Sequence, residues 1–169
     1  VDDGVVVELG HHPREHRRAD QPAVGVGDAD DRLDHRGGRR VALVHVDRNR
    51  YSVDCRYAGK TVSLRTYADR IVTIAQGEVV GEHVRSFERD RTFFDPWHYV
   101  AALEKKPGAL RNGSPFKGWA LPQALLEMKD RLLRKPGGDR QFVTILATIA
   151  EDGIEAVSVA CELALEANA

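Results

Sequence analysis

Between residues 41 and 92, apolar and polar positions alternate in short runs separated by turn residues, the two-residue period of strands with one face buried. Val41-Ala42-Leu43-Val44-His45-Val46 is followed by the polar turn Asp47-Arg48-Asn49-Arg50 and then by Tyr51-Ser52-Val53-Asp54-Cys55, which predicts a hairpin. Ala58-Gly59-Lys60 leads into Thr61-Val62-Ser63-Leu64-Arg65-Thr66-Tyr67, where Val62, Leu64 and Thr66 share one face and Thr61, Ser63, Arg65 and Tyr67 the other. Ala68-Asp69-Arg70 connects to Ile71-Val72-Thr73-Ile74-Ala75, and Gln76-Gly77 turns the chain into Glu78-Val79-Val80-Gly81-Glu82-His83-Val84-Arg85. Five short strands in so little chain predict a small β-barrel, because closure removes the edges they would otherwise expose.

After residue 92 the period lengthens. Phe93-Phe94-Asp95-Pro96-Trp97-His98-Tyr99-Val100 is the densest aromatic cluster. Asp95-Pro96 reads as an N-cap with Pro at the first helical position, opening a short helix to about Lys105. Pro107-Gly108 ends it, and Arg111-Asn112-Gly113-Ser114-Pro115 reads as an extended or turning strap. Leu121, Leu125, Met128 and Leu132 recur at helical spacing, with Arg131, Arg134 and Lys135 weighting the end of that helix. Pro136-Gly137-Gly138 stops it, and Asp139 caps a helix whose apolar face is Phe142, Val143, Leu146 and Ile149. Asp152-Gly153 then turns into a last helix carrying Ile154, Val157, Cys161 and Leu165, packed on its predecessor as a hairpin. The predicted architecture is α+β: residues 41–92 a barrel, 93–118 a connector, and 119–169 a helical tail.

Residues 1–40 fit neither period. They contain no Phe, Tyr, Trp, Ile, Met, Lys, Ser, Thr, Asn or Cys, and the ten residue types they use can all be written with codons beginning in G or C. A GC-rich gene read in a shifted frame or from the opposite strand leaves that signature, so this segment reads as out-of-frame and disordered, with too few large apolar side chains to offset the entropy of ordering. Its acids, Asp2, Asp3, Asp20, Asp28, Asp30, Asp31 and Asp34, have no expected element to hold them as a site, and its His11-His12-Pro13-Arg14-Glu15-His16 stretch is no more than an adventitious metal binder.

Composition bounds the rest. The chain has 169 residues, no apolar run near the roughly 20 that a membrane helix needs, and no signal-like start, so a soluble, cytoplasmic protein is expected. Cys55 and Cys161 lack Cys-x-x-Cys spacing and read as reduced thiols, the latter a small core residue. His45, His83 and His98 read as hydrogen-bonded structural residues rather than metal ligands. The net charge of -1 conceals segregation: residues 1–40 carry 7 basic and 9 acidic side chains, residues 41–135 carry 17 and 11, and residues 136–169 carry 1 and 6. A basic middle beside an acidic tail suits a module that meets a polyanion with one part. The candidate phosphate-binding residues are Arg48, Arg50, Arg56, Lys60, Arg65, Arg70, Arg85 and Arg89, and, beyond the barrel, Lys105, Lys106, Arg111 and Lys117. Arginine suits phosphate because its planar fork donates two parallel hydrogen bonds and each neutralised phosphate releases counterions. Such contacts position DNA rather than read its sequence.

An ordered series of short motifs narrows the choice. Tyr51-Ser52-Val53, Tyr67-Ala68-Asp69-Arg70, Glu82-His83-Val84-Arg85-Ser86-Phe87, Asp95-Pro96-Trp97-His98-Tyr99 and Lys106-Pro107-Gly108-Ala109-Leu110-Arg111-Asn112-Gly113-Ser114-Pro115-Phe116 follow one another along the chain. Together they resemble the C-terminal region of IstA-like insertion-sequence transposases over about residues 41–169, with Ser114 where Ala is expected. The resemblance implies a barrel of the SH3-like kind, and an upstream RNase H-like core whose Asp-Asp-Glu set binds the Mg²⁺ ions that drive DNA strand transfer. The matched region follows that core, so no catalytic residue, metal ligand or cofactor is expected in it. The implied role is a non-catalytic DNA-binding and assembly part acting in DNA transposition and integration. Transposon-end DNA, further copies of the full-length protein and an AAA+ helper ATPase are the expected partners. The alternatives are a truncated piece of an active DNA strand transferase, an inactive gene remnant, or a module that docks the helper without touching DNA.

Overall fold

The alternating segments fold as strands, and the period change after residue 92 marks the passage to helices. The computed structural model describes residues 23–28 and 42–167, in two compact units, one ending at His98 and the other running from Tyr99.

In the first unit, β1 (Ala23–Asp28), β4 (Thr61–Thr66), β5 (Arg70–Ala75) and β6 (Glu78–Val84) form an antiparallel sheet in the order β1-β4-β5-β6. A second sheet joins β2 (Leu43–Val46), β3 (Asn49–Ser52) and the short β7 (Thr92–Phe93), which runs parallel to β3. The five expected strands, β2 to β6, are all present. They form two sheets rather than one continuous ladder, and both sheets bury side chains in one core of Ala42, Val44, Tyr51, Val53, Val62, Ile71, Ala75 and Val80. A bulge joins the sheets. Thr73 pairs with Gly81 and Ile74 with Val79, so Val80 has no partner on β5. Its carbonyl instead accepts a hydrogen bond from the Asp54 N–H at 2.8 Å.

Two details differ from the sequence reading. The β2–β3 turn contains two residues, not four: Val46 pairs with Asn49, and Asp47 and Arg48 sit at φ 50° and 66°. Positive φ at both central positions matches the right-handed twist of the flanking strands, a geometry usually supplied by Asn or Gly. Asn49 and Arg50 therefore belong to β3. Within the first segment, for which disorder is expected, the stretch Ala23–Asp28 pairs along β4 from Ala23–Thr66 to Asp28–Thr61. Main-chain donors and acceptors on an open strand edge accept any extended partner, so composition alone did not reveal it. The other residues of that segment, with the His11–His16 stretch and every acid named above except Asp28, lie outside the described residues.

The second unit is helical. The 3-10 turn Pro96–Tyr99, within which the first unit ends and whose Trp97 N–H donates to the Asp95 carboxylate at 2.9 Å as at a cap, leads into α1 (Val100–Lys105). The expected strap is instead the short helix α2 (Ala109–Asn112) followed by a 3-10 turn (Ser114–Phe116). Gly113 makes this possible, because a Cβ there would stand 2.6 Å from the Ala109 carbonyl oxygen, while Phe116 is buried and anchors the turn. α3 (Gln123–Leu133), α4 (Gly138–Asp152) and α5 (Ile154–Glu166) pack on one another, and α1 packs on α4. α4 begins at Gly138, so Asp139 lies in the first turn rather than capping it, where its charge still favours the helix dipole. Cys161 is buried in this unit, and burial pushes its thiol pKa up.

Candidate functional site

The β-rich unit is organised around one buried amide. Asn49 is 0% exposed, and its Nδ2 donates to the carbonyls of Ser86 at 3.1 Å and Glu88 at 2.7 Å. Its Oδ1 accepts from the Arg91 N–H at 3.0 Å. Both amide donors and the oxygen are thus committed to one loop, which runs from the end of β6 to β7. Backbone bonds from Asp90 N–H to the Arg48 carbonyl at 3.0 Å and from Arg50 N–H to the Arg91 carbonyl at 2.9 Å complete the attachment. Tyr51, stacked on Phe93 with ring centroids 5.1 Å apart, accepts from the Ser86 N–H through its hydroxyl at 3.0 Å. Arg48, Arg50, Arg89 and Arg91 consequently lie on chain segments that Asn49 and its neighbours tie together.

The candidate cations divide by what they already hold. Arg56 is bound to Asp54, with Nε to Oδ2 at 2.9 Å. Burial pushes the Asp54 carboxyl up, but the Arg56 hydrogen bonds outweigh it and hold the carboxyl below its ordinary value. Arg85 is the most committed: it pairs with Asp47 at 2.7 Å, donates to the Tyr67 carbonyl at 2.9 Å, and lies 5.0 Å from the Phe87 ring centroid. Arg70 lies over Tyr67 at 4.5 Å and within 3.7 Å of Glu82, Lys60 lies 4.9 Å over Tyr57, and Arg91 pairs with Glu88 at 2.7 Å. Arg48, Arg50, Arg65 and Arg89 are exposed, and among the described residues none has a carboxylate partner. In the helical unit Lys105, Lys106, Arg111 and Lys117 are likewise exposed without one among the described residues.

A second polar cluster needs a chemical reading because it joins a serine, histidines and an aspartate. Ser52 Oγ lies 2.8 Å from His98 Nδ1 and accepts from the Asp95 N–H at 2.8 Å, while His98 Nε2 is 3.7 Å from the Asp95 carboxylate. His83 Nε2 lies 2.6 Å from the Ser52 carbonyl, which can only accept, so that nitrogen carries the proton. The set resembles a nucleophilic triad in composition only. Ser52 is 0% exposed, so no substrate reaches its oxygen. Its job is to fasten the chain around Asp95 onto β3 and β6, and both histidines are hydrogen-bonded within that cluster. Gly81 permits the approach, since a Cβ there would stand 3.1 Å from the Ser52 carbonyl oxygen and 3.5 Å from His98. Among the described residues no group of three His, Cys, Asp or Glu side chains is placed to hold a metal ion, and no helix is long and apolar enough to cross a membrane.

The histidines give the unit a pH dependence. Burial lowers the pKa of both below the ordinary value of 6.5, and for His98 the Asp95 carboxylate only partly offsets it. The unfolded chain therefore binds protons near pH 6.5 that the folded chain refuses. Their stabilising contribution is complete above that pH and is lost as pH falls through the lower folded values. Asp54, lowered from 3.8, titrates in a separate, more acidic window. Urea midpoints are expected to fall between pH 7.5 and 5.5, and a flat profile there would show that the histidines are not held neutral.

Residues 33–95 match the family described as Mu transposase, C-terminal domain, a match that reaches into the last residues of the compositionally odd first segment. The chain is 45% identical over 133 residues to a transposase of Aminobacter aminovorans, covering 76% of this chain and 26% of that protein. It is 48% identical over 131 residues to transposases for insertion sequences IS1326/IS1353 of Pseudomonas aeruginosa and Shigella flexneri, covering 75% of this chain and 25% of each relative. The chain thus spans about a quarter of the length of the curated relatives it matches. No solved structure matches it.

Proposed function

We propose, from the premise that this chain belongs with the insertion-sequence transposases as their C-terminal region, that it supplies DNA binding and assembly to transposition rather than the cutting and joining. The observation that carries the reading is the division among its cations. Arg56, Arg70, Arg85 and Arg91 spend their charge on carboxylates within the fold. Arg48, Arg50, Arg65 and Arg89 stand exposed without such partners among the described residues. Guanidinium groups left exposed with no carboxylate among the described residues favour a polyanionic ligand over an internal role. The two sheets act in this reading as a small, incompletely closed SH3-like barrel whose rim meets the phosphates of transposon-end DNA. Lys105, Lys106, Arg111 and Lys117 are secondary contacts.

The Asp-Asp-Glu carboxylates and their Mg²⁺ belong, on this view, to another part of the full-length cytoplasmic protein. The helical unit serves assembly. Between α4 and α5 it carries an open groove of about 470 Å³ lined by Ile145, Ala156, Val157, Ala160, Cys161 and Ala164 among others, with Asp152 at its margin. Self-association and the AAA+ helper ATPase are the proposed uses of that face.

Gel-shift titration against transposon-end duplex and an unrelated duplex, over a salt series, tests the reading. Binding that weakens steeply with salt and differs little between the duplexes is the expected result. Absence of any shift at low salt would overturn it and leave a gene remnant or a helper-docking module.

A further inference from the structure

Phe87 is 76% exposed, yet the chain on either side of it is fixed. The carbonyls of Ser86 and Glu88, its two neighbours, both accept from the Asn49 amide, at 3.1 and 2.7 Å, and the Ser86 N–H donates to the Tyr51 hydroxyl at 3.0 Å. A ring between two anchored peptides cannot retreat by local collapse of its loop. It is held out in water at a hydrophobic cost that only a contact on one of its faces offsets within the fold. The Arg85 guanidinium lies over the ring at 5.0 Å from its centroid, and is itself fixed by Asp47 and the Tyr67 carbonyl. One face of the aromatic ring is therefore backed by a rigid cation, and the other is open to a flat partner. The segments joined here carry five arginines (Arg48, Arg50, Arg85, Arg89, Arg91) against three carboxylates (Asp47, Glu88, Asp90). An apolar protein pocket gains little from that charge, whereas a nucleobase arrives with phosphates on both sides.

We infer that Phe87 is a stacking residue for an unpaired or unstacked nucleobase, with Arg48 and Arg89 taking the flanking phosphates. The inference rests on the DNA-binding reading above and deepens it. The preferred ligand is then DNA with a disturbed helix rather than uninterrupted duplex. Base stacking on an aromatic side chain is sequence-tolerant, in keeping with a site built from backbone contacts.

The test is fluorescence anisotropy of the full chain, at one fixed salt concentration, with two probes: a fully paired duplex and the same duplex carrying one unpaired 2-aminopurine. Wild type is expected to prefer the second probe by roughly tenfold, the scale of one stacking contact, and to quench its fluorescence. Phe87→Ala should abolish both the preference and the quenching while leaving duplex affinity within about twofold. Phe87→Trp should retain them. Because the ring is exposed, neither variant should alter thermal melting. Equal affinity of wild type for both probes, or a Phe87→Ala effect confined to self-association, would overturn the inference and leave the DNA-binding reading standing. No binding to either probe would overturn both.

Discussion

Asn49→Ala is expected to cost the β-rich unit about 3 kcal/mol, because it strips three hydrogen bonds from one loop and leaves a small void at the same time. The Ser86 and Glu88 carbonyls and the Arg91 N–H all lose their partner, and only part of that loss is recovered from water. For a unit of this size the melting temperature should fall by roughly 12–24 °C. The strand signal in circular dichroism, followed through a thermal scan, measures it. Asn49→Asp is no rescue: it keeps an acceptor for Arg91 but turns a carboxylate toward two carbonyl oxygens, so it should be at least as damaging near neutral pH. A loss below about 1 kcal/mol for Asn49→Ala would show that the loop is held by its backbone bonds alone.

The second large effect is on binding. The combined variant Arg48→Gln, Arg50→Gln, Arg89→Gln removes three exposed guanidinium groups that have no carboxylate partner among the described residues. Each phosphate contact contributes nearly one decade of affinity at about 0.1 M salt, so duplex binding should weaken roughly 10²–10³-fold. Thermal stability should hardly change, since solvated side chains contribute little to it. Arg85→Gln is the matched contrast. It removes one guanidinium charge from a side chain 22% exposed and already bound to Asp47, so it should lower the melting temperature and leave duplex binding nearly intact.

How far the sequence could be read follows from the range of the interactions involved. β2 to β6 were legible because alternation is local and a buried face enforces it, and the Gln76-Gly77 turn was legible because Gly adopts its φ of 85° without strain. The Asp47-Arg48 turn was not, since nothing in those two residues advertises positive φ; the pairing of β2 with β3 imposes it. That hid Asn49 inside a supposed turn and hid its clamp with it. β7 is two residues long and pairs parallel with β3, so it has no periodicity to detect. The basic composition of the middle was plain, but which arginines keep their charge available was not. Arg85 finds Asp47 38 residues away, while the Arg56–Asp54 pair, two residues apart, is the sort of contact a linear reading can reach.

The exposed arginines of the β-rich unit, which have no carboxylate partner among the described residues, are proposed to neutralise DNA phosphates. The most direct test of this is the slope of log K against log salt for duplex binding, compared between wild type and the Arg48, Arg50, Arg89 triple variant. The account predicts a slope shallower by about 2.7 in the variant, close to 0.9 for each lost phosphate contact. Parallel lines for the two proteins would contradict it.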